Sequence, residues 1–96
     1  MADMIDFSSR IVVPETVLYR QVDEATVLLN LQTESYLSLD EVGSRMWALF
    51  TTEPSLEAAY EKLLAEYAVE PDVLRRDIEN LVNQMLEHGL VELKSA

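Results

Sequence analysis

The fold is decided by Glu34-Ser-Tyr-Leu-Ser-Leu-Asp-Glu-Val-Gly-Ser-Arg-Met-Trp-Ala-Leu-Phe50, a stretch that passes without a linker from a short apolar strand into an amphipathic helix. In the strand, Leu37 and Leu39 lie on one face, because side chains alternate along an extended chain. Asp40 is suited to cap the helix, in which apolar residues recur at helical spacing. We predict that this strand is the edge of a sheet.

Two segments before this stretch are rich in Val, Leu, Thr and Tyr, a composition that favours extended structure. They run from Thr16 to Val22 and from Thr26 to Leu31, and Asp23-Glu24-Ala25 between them predicts a hairpin turn. Gln32-Thr33-Glu34 is a second polar break before the edge strand. Together these patterns predict a three-stranded antiparallel sheet.

Two further helices are predicted after the first. Ser55 is suited to cap the second helix, which ends near Ala68. Pro71 fits the first turn of a third helix, because its missing N–H costs nothing there, and Gly89 provides a natural end. The sequence therefore predicts an α+β fold, with an N-terminal three-stranded antiparallel sheet followed by three helices.

Length and composition predict one small domain. The chain has 96 residues, of which 49% are hydrophobic, and this is enough apolar material for one core and too little for two. We expect a flexible N-terminus over residues 1–10 and a single domain over residues 11–93. Residues 11–13 form either a further short strand or an extended lead-in, and residues 90–93 form either a closing strand or a packed tail.

The charge balance excludes several classes of partner. The chain carries 18 acidic and 7 basic residues, whereas electrostatic binding to nucleic acid or anionic lipid needs clustered Lys and Arg. No apolar stretch approaches the roughly 20 residues of a membrane span, and the N-terminus lacks the features of a secretory signal. The absence of cysteine fits a reducing compartment. We therefore expect a cytoplasmic, unprocessed protein that binds no nucleic acid and no membrane.

Catalysis and metal binding are not predicted. The chain has no Cys, a single histidine at His88 and no Gly-rich phosphate loop. Its carboxylates are scattered, and no Asp-x-Asp-x-Asp-Gly calcium loop occurs, so most of them are expected to form a solvated surface. We expect no enzymatic activity, no cofactor and no metal.

The chain resembles the PqqD-like family, the recognition elements of ribosomally made and post-translationally modified peptides. The resemblance lies in the order of strands and helices and in two stretches, Leu39-Asp-Glu-Val-Gly-Ser-Arg-Met-Trp47 and Asp77 to Leu90. It extends from Ile11 to Leu93. It implies a small winged-helix-like domain without catalytic activity, which binds the leader segment of a precursor peptide and presents it to a modifying enzyme.

Within that family, Tyr36-Leu-Ser-Leu-Asp-Glu-Val-Gly-Ser-Arg-Met-Trp47 is most similar to the discrete leader-binding proteins of lasso-peptide clusters. Those proteins work beside a separate cysteine protease that removes the leader. The resemblance therefore implies a free-standing adaptor whose partners are a precursor leader peptide and a leader peptidase or other modifying enzyme. A PqqD-type peptide chaperone, which serves a radical enzyme in quinone-cofactor synthesis, is the alternative.

The resemblance also implies that the leader binds as an extra strand, and a free strand edge offers the backbone groups that this requires. An acidic position usual in the family's last helix corresponds to Asp77, which would accept a hydrogen bond or pair with a basic leader residue. The alternative for Asp77 is an ordinary solvated carboxylate. Leu37 and Leu39 are equally interpretable as residues of the hydrophobic core. Trp47 is assigned to packing. The candidate peptide-binding residues are Ser35, Tyr36, Leu37, Ser38, Leu39, Val73, Asp77, Leu81 and Gln84.

Two other functions are compatible with this order of elements. A winged-helix regulator would have a similar sheet and helices. DNA binding by its third helix is disfavoured here, because Asp77 directly follows Arg75 and Arg76 and the whole protein is strongly acidic. A protein adaptor unrelated to peptide modification is the other possibility. Because an unfilled strand edge can pair with its twin, we expect a monomer or a weak dimer.

Overall fold

A computed structural model describes residues 5–95 of the chain. The elements follow one another in the order β1 Ser9–Val12, β2 Val17–Val22, β3 Ala25–Asn30, β4 Tyr36–Leu39, α1 Glu41–Thr52, α2 Leu56–Glu66, α3 Pro71–Glu87 and β5 Glu92–Ser95. This order confirms the predicted α+β fold, with a three-stranded antiparallel sheet before three helices. No helix within residues 5–95 is long and apolar enough to cross a membrane.

The main sheet has the strand order β2-β3-β4, so β2 and β4 are both its edges. Val22 pairs with Ala25 across the first hairpin. The turn is therefore Asp23-Glu24, one residue shorter than predicted. Asp23 has a φ of 56°, the positive value that a two-residue hairpin turn needs at its first central position.

A second, two-stranded antiparallel sheet joins the two ends of the domain. It pairs β1 with β5, and Ile11 lies opposite Leu93. The segments 11–13 and 90–93, for which the sequence left two alternatives each, thus contribute to strands, although β5 begins only at Glu92.

Residues 5–10, which belong to the predicted flexible N-terminus, are packed on the domain. Ile5 and Phe7 are buried in the core, and Ser9 and Arg10 belong to β1. Apolar side chains at alternate positions there face the helices, which the composition of the segment did not suggest. Residues 1–4 of the predicted segment lie outside the described residues.

The helices begin where the sequence predicts. The Asp40 carboxylate accepts a hydrogen bond of 2.8 Å from the Gly43 N–H at the start of α1. The Ser55 hydroxyl oxygen accepts one of 3.2 Å from the Ala58 N–H at the start of α2. Pro71 occupies the first turn of α3. These caps satisfy N–H groups that have no partner inside a helix.

All three helices bury one apolar face in a common core. On α1 the core residues include Trp47, as predicted, whereas Val42, which the helical spacing assigns to the apolar stripe, is 44% exposed. On α3 the helical spacing predicts Leu81 in the buried stripe and Val82 on its flank, whereas the structure buries Val82 fully and leaves Leu81 half-buried. The largest fully buried side chains are Leu28, Leu56, Leu63, Ile78, Met85, Leu90 and Val82. Each contributes roughly 1.5–3 kcal/mol of burial free energy.

Candidate peptide-binding site

The hydrogen bonds of the sheet determine which backbone groups of β4 face β3 and which face outward. The Asn30 N–H donates to the Ser35 carbonyl oxygen at 2.8 Å, which marks these two residues as a hydrogen-bonded pair. Bonded and non-bonded pairs alternate along an antiparallel ladder. Leu37 and Leu39 therefore direct their N–H and C=O groups toward β3. The backbone groups of these two residues are used within the sheet.

Tyr36 and Ser38 direct their N–H and C=O groups away from the sheet, by the same alternation. Their side chains lie on the outer face, where Tyr36 is 68% exposed. On the helix side, Leu39 is buried and Leu37 is half-buried. Of the predicted edge residues, Tyr36 and Ser38 thus offer open backbone groups to a peptide, and Leu37 offers part of its side chain. The other two are used within the domain: the Ser35 carbonyl bonds to β3, and the Leu39 side chain belongs to the core.

Asn30 connects the turn before β4 to the end of α3. Its Nδ2 donates to the carbonyl oxygens of Gly89 at 2.9 Å and of His88 at 3.3 Å. Its Oδ1 accepts hydrogen bonds from the backbone N–H groups of Gln32 and Thr33. Asn30 is buried on the helix side of the sheet. The C-terminal end of α3 therefore lies beneath the turn that leads into β4.

Gly89 permits this close approach. Its φ is +66°, a left-handed conformation that costs glycine nothing, and a Cβ at this position would lie 2.9 Å from the Asn30 Nδ2. The Leu90 N–H donates to the Met85 carbonyl at 2.8 Å, and the Gly89 N–H donates to the Leu86 carbonyl at 3.1 Å. These bonds form a Schellman motif, and they confirm the predicted end of α3.

One flank of α3 is packed and the opposite flank is open. On the packed flank, the Arg75 guanidinium lies 3.9 Å from the Phe7 ring centroid and 3.6 Å from the Glu57 carboxylate of α2. On the helical wheel, the predicted α3 residues occupy the other flank, where three are exposed and Leu81 is half-buried. They are Val73, Asp77, Leu81 and Gln84.

The predicted site thus consists of one strand edge and one helix flank. β4 packs mainly on β3 and α1, and the hydrogen bond from Asn30 to Gly89 links the turn before β4 to the end of α3. The role of Asn30 in this arrangement was not predicted from the sequence. The available signal was a polar residue on the inward face of β3, in line with the buried Thr26 and Leu28.

Charged groups with shifted pKa values lie outside this edge and flank. Hydrogen bonds from the Arg45 guanidinium, at 2.9 and 3.0 Å, lower the pKa of the Glu66 carboxyl. Hydrogen bonds from the side chain and backbone of Ser8 lower the pKa of Asp6. Within the described part of the chain, no group of three or more His, Cys, Asp or Glu side chains could hold a metal ion.

Comparisons with known proteins agree with this architecture. The sequence profile of the family described as Coenzyme PQQ synthesis protein D (PqqD) matches residues 25–91. The structure described as "TbiB1 in Complex with the TbiA(beta) Leader Peptide" is 32% identical in sequence. The similarity covers 84% of this chain and 94% of that chain, with a TM-score of 0.78.

A second structure, "Lasso peptide synthetase B1 complexed with the leader peptide", shares the fold at 24% identity and a TM-score of 0.77. This similarity covers 86% of this chain and 98% of that chain. No curated protein sequence matches the chain.

Proposed function

The chain belongs to the PqqD family, and we propose that it is a non-catalytic protein that binds the leader segment of a ribosomally made precursor peptide. In this proposal it presents the leader to a leader peptidase or another modifying enzyme, in lasso-peptide biosynthesis. The similarity to TbiB1, a protein described in complex with a leader peptide, supports this function. The observation that carries it is the open edge of β4, where the backbone groups of Tyr36 and Ser38 have no partner in the sheet.

The leader adds as a strand to β4. Its backbone forms hydrogen bonds with the outward N–H and C=O groups of Tyr36 and Ser38, which have no partner in the sheet. Backbone bonds of this kind give affinity with little sequence preference, since every residue except proline carries the same groups. Sequence preference must therefore come from side chains.

Alternate side chains of the added strand point to the helix side of the sheet, where α3 lies. There the half-buried Leu37 and Leu81 supply apolar contact, and the exposed Val73 extends it along the flank. Asp77 accepts a hydrogen bond from the leader or pairs with a basic leader residue, and Gln84 supplies both a donor and an acceptor. This division of roles is typical of strand addition.

Contacts within the domain argue against a DNA-binding regulator. Arg75 packs on Phe7 and lies close to Glu57, so this guanidinium is engaged inside the domain. On the exposed flank of α3, Asp77 would face the phosphates of a bound duplex. A net charge of -11 adds to this repulsion.

A second candidate function uses the same site for another enzyme. The description of the matching family profile concerns coenzyme PQQ synthesis. A PqqD-type chaperone would bind its precursor peptide by the same strand addition and present it to a radical enzyme. The two candidates are distinguished by comparing the affinity of the chain for a lasso-peptide precursor with its affinity for a precursor of the quinone cofactor.

The test is a calorimetric titration of the purified protein with the leader segment of the precursor encoded beside it. We expect a 1:1 complex with a dissociation constant between about 1 nM and 1 μM. Ser38→Pro removes an outward N–H of β4 without removing a bond of the sheet, and it should weaken binding about tenfold. Equal affinity in a folded Ser38→Pro variant would contradict strand addition at β4.

The matched control is Gln21→Pro, which places the same ring on the other edge of the sheet. Gln21 lies in β2, where its backbone groups also point outward. A leader that binds at β4 should bind this variant as it binds the original chain. Amide spectra of both variants establish that each is folded before the affinities are compared.

A further inference from the structure

β2 is a second free edge of the same sheet. The β3 residues that do not bond to β4 bond to β2, and their partners there are Leu18, Arg20 and Val22. Tyr19 and Gln21 therefore direct their N–H and C=O groups away from the sheet. Edge strands are usually protected by several charges, a proline or a bulge. β2 carries a single charged side chain, that of Arg20.

A cavity of about 290 Å³ lies beside this edge, between β2 and α1. Tyr19, Gln21 and Thr26 line it from the sheet, and Trp47 and Thr51 line it from α1. Trp47 is 3% exposed, and its buried indole Nε1–H has no hydrogen-bond acceptor within residues 5–95. The Tyr19 ring packs edge-on against Trp47, with centroids 5.1 Å apart. A buried donor without an acceptor is unfavourable, so an acceptor group that reaches the enclosed indole N–H past this ring would gain a hydrogen bond that the domain leaves unmade.

A second cavity, of about 430 Å³, continues along the same edge. It shares Gln21, Ser44 and Ala48 with the first cavity, so the two adjoin, and together they are called here the β2 groove. Its acidic lining residues are Asp23, Glu24 and Glu41. Within the described part of the chain, none of these three carboxylates makes an ion pair.

The charge of this groove selects its ligand. Arg45 also lines the second cavity, but Glu66 already holds its guanidinium at 2.9 Å. The three carboxylates are therefore best neutralised by a Lys or Arg from outside the domain. A second copy of this chain fits poorly, because two copies that each carry a net charge of -11 repel one another.

We propose that the β2 groove binds an extended segment of the enzyme that receives the leader. The segment adds as a strand to Tyr19 and Gln21, places an acceptor side chain such as Asn or Gln against the Trp47 indole, and places a Lys or Arg among the carboxylates. The identity of this partner rests on the proposed function. Because β2 and β4 are opposite edges of one sheet, the enzyme and the leader bind at the same time.

The test measures the affinity of the purified leader peptidase encoded beside the precursor for the full chain and for three variants. Gln21→Pro removes an outward N–H of β2, and Trp47→Phe removes the indole donor while keeping an aromatic ring. The third variant combines Asp23→Asn, Glu24→Gln and Glu41→Gln. We expect Gln21→Pro and the combined variant to weaken enzyme binding about tenfold, and Trp47→Phe to weaken it several-fold.

Leader affinity is measured on the same samples, and we expect it to change less than twofold. The combined variant alters only exposed side chains, so it keeps the proposal testable even if Gln21→Pro does not fold. Enzyme affinity that is unchanged in the combined variant would overturn the proposal. So would a chain that binds the leader but not the enzyme.

Two further outcomes also overturn the proposal. Loss of leader binding in Gln21→Pro and in the combined variant, with enzyme binding retained, would assign the β2 groove to the leader. A dimer of the chain that Gln21→Pro dissolves would assign the groove to a second copy. Failure of the proposed function is distinct from all of these, because the unmodified chain would then bind no leader at all.

Discussion

The side-chain amide of Asn30 donates a hydrogen bond of 2.9 Å to the carbonyl oxygen of Gly89, 59 positions further along the chain. This bond joins the turn before β4 to the residue that ends α3. The strand edge and the helix flank of the proposed peptide site are therefore positioned by two residues that belong to neither. Their substitution should affect both the stability of the domain and the shape of the site.

Asn30→Ala should lower the free energy of unfolding by about 1–3 kcal/mol, because it leaves buried backbone groups without their partners. It should also weaken leader binding, since β4 loses its connection to α3. Urea unfolding measures the first effect, and calorimetry measures the second. Thr33→Ala is the control: its hydroxyl accepts an exposed hydrogen bond of 3.3 Å from the Ser35 N–H, and its loss should cost less than about 0.5 kcal/mol.

Gly89→Ala should destabilise the domain by about 1–2 kcal/mol from its φ of +66° alone. Contact between the new methyl group and the Asn30 amide adds to this cost. In the Asn30→Ala background the second contribution disappears, so the two substitutions should not be additive in a double-mutant cycle. Urea unfolding of the two single variants and the double variant measures this coupling. Strict additivity would show that the two residues do not interact.

Asp77→Ala should weaken leader binding about tenfold and leave the free energy of unfolding nearly unchanged. The reason is that Asp77 is exposed and contributes a charge-assisted contact to the peptide rather than to the core. Glu61→Ala removes an exposed carboxylate from α2 and serves as the matched control. If both variants bind the leader as the unmodified chain does, Asp77 is an ordinary surface residue.

The sequence predicted the elements of this fold because each carries its own local determinants. The cap at Asp40, the proline at Pro71 and the glycine at Gly89 all act within one helical turn. The edge position of β4 also followed from local order, because the strand runs directly into α1.

Features that depend on distant contacts were not predictable in the same way. The pairing of Asn30 with Gly89 depends on the tertiary packing of β3 against α3, which no local pattern encodes. The assignment of Leu81 to the buried stripe was wrong because residues 81 and 82 lie on either side of the apolar face, and only packing decides which one is covered. Which backbone groups of β4 point outward depended on one bond, from Asn30 to Ser35.

The Arg45–Glu66 ion pair gives a prediction about pH. Hydrogen bonds from Arg45 lower the pKa of Glu66 below its ordinary value of 4.5. A carboxyl whose pKa is lowered by folding stabilises the domain above its unfolded pKa, and this contribution is lost as the pH falls through the lower, folded value. Because both side chains are exposed, the effect on stability should be small.

The measurement for this pair is an NMR titration of the Glu66 carboxyl carbon. Its midpoint should lie below 4.5 in the unmodified chain and return toward that value in Arg45→Met. Lys62→Met is the control, because Lys62 contributes only a smaller, through-space part of the shift. An unchanged Glu66 midpoint in Arg45→Met would contradict the conclusion that hydrogen bonds from Arg45 lower this pKa.

Amide hydrogen exchange along β4, with and without the bound leader, tests strand addition most directly. In the free protein, the N–H groups of Tyr36 and Ser38 should exchange quickly, because they point away from the sheet, whereas that of Leu37 should be protected by its bond to β3. Leader binding should slow exchange at Tyr36 and Ser38 and leave Tyr19 and Gln21 on the opposite edge unchanged. A saturated complex in which Tyr36 and Ser38 still exchange quickly would contradict the account.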